Sequence, residues 1–99
     1  MVALLRDELT LLIFSSDGTV LRRQTMRYGD FDVVQIPAGA WHTFLTTRPT
    51  ALMLEIKPGP YRPAQFALWA PQESHPQSRL YAARLADIQE GMSAAFVSD

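Results

Sequence analysis

The chain has 99 residues, enough for one domain and too few for two. With 47% hydrophobic residues, 19% charged residues and no low-complexity tract, it excludes wholesale disorder. Nine basic against ten acidic residues leave a net charge of −1, which argues against a nucleic-acid partner, and the lack of cysteine excludes disulfides, Cys-ligated metals and thiol nucleophiles.

Residues 1–5 are apolar and predict a first strand, followed by a charged turn at Arg6, Asp7 and Glu8. Residues 9–14 (LTLLIF) form a buried-type run, too short for a signal sequence or a membrane span. No membrane partner and a cytoplasmic location are therefore expected. Ser15-Ser16-Asp17-Gly18 is a hairpin signal, because Asp-Gly supplies the positive-φ positions of a tight turn. Residues 19–27 predict a strand with one wet face at Arg22, Arg23 and Gln24, and Tyr28-Gly29-Asp30 predicts another turn. Residues 31–36, 41–46 and 51–57 complete a set of six strands, separated by Pro37-Ala38-Gly39 and by the Pro49 turn. Six short strands with no helix between them predict an all-β antiparallel sandwich or barrel.

The chain then changes character. Residues 58–76 hold five of the seven prolines, interleaved with Tyr61, Phe66 and Trp69. Proline removes ladder donors, so this segment is expected to lie extended against the barrel. After Gln77, Tyr81, Leu85, Ile88, Met92 and Phe96 recur at helical spacing. They predict an amphipathic C-terminal helix over residues 77–97, packed on the sheet or on a second subunit and capped by Ser74 or Ser78. Domain organisation is thus a single unit: barrel strands over 1–57, the proline segment over 58–76 and the helix.

Candidate chemistry concentrates around His42. Pro37 fixes φ on entry to a turn and Gly39 permits the reversal, so His42 is delivered at a set place on a rigid strand. Strand alternation puts His42, Phe44 and Thr46 on one face and Trp41, Thr43 and Leu45 on the other. An imidazole in a barrel mouth suits metal ligation or acid–base work. Trp41, Phe44, Tyr61, Phe66 and Trp69 are candidates for lining a pocket there, though in a barrel this small they also read as core and lid. Glu55 on the next strand is expected to face solvent, His75 to sit exposed in its loop, and Arg48 and Arg62 to be solvated.

Pro37-x-Gly39-x-x-His42 resembles the core of the second conserved motif of the cupin superfamily. The string EIKPGPYRPAQFALWAP over residues 55–71 is similar to the WbuC-type cupins in particular, and LLIFSSDGTV resembles their sheet hairpin. The resemblance covers most of residues 2–71. It implies a cupin-like barrel, here incomplete, a divalent metal ion held in a cage of three histidines and one glutamate, and an association with surface-polysaccharide (sugar) metabolism. Of that cage, only His42 is carried over from the matching motif. The chain has no His-x-His, and its histidines are His42 and His75 alone. Thr46 stands where the motif often has asparagine. The first strands are therefore expected to be missing and the metal site incomplete, with no cofactor as the alternative.

Three functional readings stay open at this point, and enzyme status stays open with them. One is a metal-dependent cupin acting on a sugar-like molecule, with His42 as metal ligand and Glu55, Trp41, Phe44, Tyr61 and Trp69 around the ligand. Another is a metal-free cupin that binds or acts on a nucleotide-sugar-like ligand, with His42 as base. The third is a non-catalytic binding or oligomerisation module. An incomplete barrel leaves unpaired strand edges, so a homo-oligomer, most simply a dimer, is expected.

Overall fold

The computed structural model describes residues 1–46, 48–57 and 65–96. Its centre is β2 (Glu8–Phe14), a strand with apolar side chains on both faces. Leu9, Leu11 and Ile13 point one way and Leu12 and Phe14 the other, and all five are buried. A strand of this kind must be covered twice. Antiparallel neighbours flank it: β3 (Val20–Arg27) on one edge and β5 (Trp41–Leu45) on the other. A second three-stranded sheet sets β1 (Val2–Arg6) between β4 (Val33–Val34) and β6 (Leu52–Glu55), again antiparallel. Val2, Leu4 and Val34 from this sheet meet Leu9, Leu11, Ile13 and Met26 from the other, forming the first core.

All six expected strands are present, but they do not close into a barrel: the fold is an open two-sheet sandwich. The strand expected over 31–36 shrinks to Val33–Val34, because Arg27 donates its backbone N–H to the Phe31 carbonyl and keeps Phe31 in the preceding turn. The accessible surface of 7188 Å² exceeds the ~5,700 Å² that a closely packed chain of this mass would show.

The second core lies on the other face of β2. Leu12, Phe14 and Val20 pack there against Leu85 and Ile88 of the helix α1 (Ser78–Asp87) and against Ala94. Here the expected helix over 77–97 is corrected: it ends at Asp87. Ile88 turns extended (ψ 141°), and Gly91 takes a φ of 86°. The following residues run back along the edge strand. Gly91 donates to the Val20 carbonyl at 2.7 Å, Val20 to Met92 at 2.8 Å and Ala94 to Gly18 at 2.7 Å. These backbone bonds satisfy donors and acceptors on the β3 edge, which a longer helix would leave unpaired. Tyr81, Leu85 and Ile88 keep their place on the apolar stripe, whereas Met92 is exposed and Phe96 returns to meet Tyr81 edge-on from outside the helix. Neither Ser74 nor Ser78 caps the start; Gln77 holds the N-cap position without a side-chain bond.

The helix C-terminus is held from the sheet. Arg23 on β3 donates to the carbonyls of Leu85 at 3.2 Å, Ala86 at 2.6 Å and Ile88 at 3.0 Å. A guanidinium there meets the negative end of the helix dipole and the carbonyls that lack intrahelical partners. Burial pushes the Tyr81 phenol above its ordinary value, and its O–H donates to the Ala94 carbonyl at 2.6 Å. None of the described helices is long and apolar enough to cross a membrane.

The hairpin between β2 and β3 shows how tight this layer is. Gly18 has a φ of 92°, and a Cβ added to it would sit 2.9 Å from the Trp69 ring. Gly18→Ala should therefore lower stability by about 1–3 kcal/mol, read as a reduced urea midpoint with unchanged m-value. In the same turn Asp17 accepts from the Ser15 hydroxyl and the Thr19 backbone N–H, which holds its carboxyl below the ordinary 3.8. A depressed folded-state value contributes stability above the unfolded value that is lost as pH falls. The thermal stability difference between wild type and Asp17→Asn should be constant above about pH 5 and close below that, where Asp17 takes up its proton.

Candidate functional site

The Pro37-Ala38-Gly39 turn forms as the residue types require: Ala40 donates to the Pro37 carbonyl at 3.2 Å and Gly39 has a φ of 77°. The turn launches β5 with His42 opposite Ile13, one of the residues of the first core. His42 therefore faces between the sheets. Phe44 lies two residues on, packs against that core and meets the His42 ring edge-on at 5.7 Å. The opposite sheet contributes Glu55, which pairs with the inward Val2. Glu55 was expected to face solvent; it lies instead on the inner face, with its side chain about two-thirds covered, and its Oε1 stands 3.9 Å from His42 Nε2. Two strands remote in sequence thus bring an imidazole and a carboxylate together at the open side of the sandwich.

The orientation of His42 is set by its neighbour. Nδ1 lies 3.0 Å from the Ala40 carbonyl oxygen. A carbonyl only accepts, so Nδ1 carries the proton and donates it. In the neutral ring Nε2 is then a bare acceptor, aimed at the side of the site where Glu55 stands. Lys57, two residues along the chain on the same face, places its ammonium 3.6 Å from Glu55 Oε1. These residues bring together an acceptor nitrogen, a carboxylate and an ammonium, with Phe44 beside the imidazole and Met53, partly exposed, on the same face of β6 as Glu55.

The other candidates divide. Trp41 and Trp69 do not line this mouth: both pack into the second core, on the far side of the sheet, with Trp69 edge-on to Phe14 at 5.0 Å. Alternation on β5 explains it, since Trp41 precedes His42 by one residue. The buried Trp69 Nε1 has no hydrogen-bond partner among the described residues. Phe66 is exposed. Tyr61 and Arg62 lie outside the described residues, as does most of the first half of the proline segment. Arg48 is exposed in its turn, and Thr46 is held by a bond from its hydroxyl to the Glu8 carbonyl at 2.8 Å. His75, expected to be exposed, is half-buried: its Nδ1 accepts the Gln77 N–H at 3.0 Å and its ring meets Phe96 edge-on.

Lys57 and Met53 were not singled out from the sequence. The signal was there, because residues 53, 55 and 57 share a face on an extended strand. What the sequence lacked was the direction of that face.

The cage of three histidines and a glutamate does not fit these residues. One imidazole and one carboxylate meet, and no group of three or more His, Asp or Glu side chains that could hold a metal ion forms among the described residues. Two protein donors fall short of the three or four of a resident transition-metal site. No known family model, curated protein or solved structure matches this chain.

The Nδ1–H assignment is directly checkable. Long-range nitrogen–proton correlation spectra of the neutral His42 ring should show Nδ1 protonated and Nε2 bare; the reverse pattern would be incompatible with the bond to Ala40.

Proposed function

We propose that this chain is a cupin-like sandwich that binds a hydroxyl-rich, sugar-like molecule in the mouth between its sheets, with His42 and Glu55 as the polar contacts and without a resident metal. The observation that carries this reading is the convergence of His42 Nε2 and Glu55 Oε1, from opposite sheets, at 3.9 Å. Both are acceptors, so a ligand hydroxyl can donate to either one and two neighbouring hydroxyls can donate to both. A polyol presents adjacent hydroxyl donors that can address two such acceptors at once. Phe44 and Met53 offer the apolar surface that the C–H face of a sugar ring covers. Lys57 supplies the positive charge that a phosphate or carboxylate substituent would meet.

The same geometry gives His42 a chemical role. A proton leaving the ligand has a bare Nε2 to go to, and the imidazolium so formed sits beside the Glu55 carboxylate, which stabilises it. The Ala40 carbonyl prevents the ring from turning to the other tautomer. Binding and proton acceptance therefore fall to one residue, oriented by a second and charge-balanced by a third.

The test is a panel of nucleoside diphosphate sugars and free hexoses, followed by ligand-observed NMR and calorimetry. Binding should weaken about tenfold in His42→Ala and in Glu55→Gln, as expected for loss of one polar contact to a ligand. Equal binding by wild type and His42→Ala, or none by wild type, would sink the reading. Elemental analysis of the purified protein bears on it too. About one metal ion per chain, lost in His42→Ala, would replace it with a metal-dependent one.

A further inference from the structure

The two sheets are clad unequally. The outer face of β3-β2-β5 is covered by α1 and the returning tail, which together make the second core. The outer face of β4-β1-β6 has no such cover among the described residues. Val2 and Leu4 point inward and are 1% exposed, so Leu5 and, by register, the partners of Ala3 point outward. Those outward residues are Leu5 on β1, Val33 on β4, and Leu52 and Leu54 on β6, all about half exposed. Ile56 and Met1 extend the face, joined by the bond from Ile56 N–H to the Met1 carbonyl at 2.7 Å. Six large apolar side chains thus share one surface.

We propose that this face is the interface of a two-fold homodimer, in which the β4-β1-β6 sheets of two copies stack back to back. Three arguments on the molecule select a second copy as the occupant. The first is charge. Within the six-residue face no side chain is charged; the Met1 α-ammonium, which donates to the Ile56 carbonyl at 2.9 Å, and Arg6, beside the irregular Leu4–Arg6 register, stand at the two ends of β1. A partner of opposite charge would find only those two end charges to recognise, whereas a like apolar face matches the centre. At a net charge of −1, two copies meet almost without repulsion. The second is area. Half-exposed, these side chains offer on the order of 500 Å² of apolar surface, beyond what isolated surface residues present, and about twice that in the pair, which is in reach of a stable interface once its rim is added. The third is shape. A three-stranded sheet face packs on its own symmetry mate in the aligned manner of sheet-on-sheet cores, and a two-fold axis needs only one self-complementary patch.

The interface is independent of the proposed ligand site. Leu54 and Glu55 are neighbours on β6, but the first points out of the sandwich and the second into it. Loss of one leaves the other in place, and failure of sugar binding would not touch the dimer.

Light scattering on a sizing column at tens of micromolar should give twice the chain mass of 11.1 kDa for wild type. Leu54→Glu should shift the protein to the monomer mass with an unchanged far-ultraviolet circular dichroism spectrum. Leu68→Glu, at a fully exposed position off this face, should leave the dimer intact. Because the chain has no cysteine, a second measurement avoids charge burial altogether. A short bis-maleimide should cross-link Leu54→Cys into dimers and leave Leu68→Cys monomeric. A wild-type monomer overturns the proposal. So does a dimer that persists in Leu54→Glu with Leu54→Cys uncross-linked, the result expected if the copies pair through strand edges instead.

Discussion

The fold depends on the two-sided burial of β2. A strand carrying Leu9, Leu11 and Ile13 on one side and Leu12 and Phe14 on the other cannot sit at the surface of anything. It needs a sheet against one face and a helix or tail against the other, and the rest of the chain supplies both. Removing any of these five side chains opens a cavity in one of two cores that share a single backbone, where large-to-small changes typically cost about 2–5 kcal/mol. The hydrogen bonds from the tail to Gly18 and Val20, and those from Arg23 to the helix end, fasten the second layer to that strand's neighbour. They make the helix part of the sheet's hydrogen-bond system rather than a lid resting on it.

The candidate site takes its geometry from the same constraint. His42 is opposite Ile13, so the side on which Ile13 is buried is the side to which the imidazole points. Glu55 is opposite Val2, whose burial turns it toward the same space. Neither residue reaches the mouth on a loop. Both stand on strands anchored by core neighbours, which is how a pair of polar groups is held at fixed separation without being buried away from a ligand.

How much of this was legible in the sequence varies with the kind of signal. All six strands could be read, because alternation and turn chemistry are local, and the division of Trp41 from His42 followed from period two alone. The helix end could not. Met92 and Phe96 continue the spacing of Tyr81, Leu85 and Ile88, and nothing local says that the backbone donors of residues 91 and 94 will be claimed by a strand edge more than seventy residues away. Gly91 was the one warning, a residue that favours helix termination. The inward turn of Glu55 was hidden for a related reason. A glutamate on a strand faces water unless its neighbours across the sheet are known, and those are Val2 and, from the other sheet, His42. Long-range pairing, not residue type, decided both the helix end and the direction of Glu55.

Both tryptophans of the chain, Trp41 and Trp69, belong to the second core, and neither reaches the first. Intrinsic fluorescence of this protein is consequently a reporter on one layer only. An emission change tracks the docking of the helix and tail on their sheet, while events between the two sheets leave the indoles in the same surroundings. Among the described residues tyrosine offers no substitute there, since Tyr81 also lies on the helix side and Tyr28 is exposed at a turn. A tryptophan-fluorescence titration that stays flat would be the normal behaviour of a molecule whose two tryptophans and whose polar mouth lie on opposite faces of one sheet.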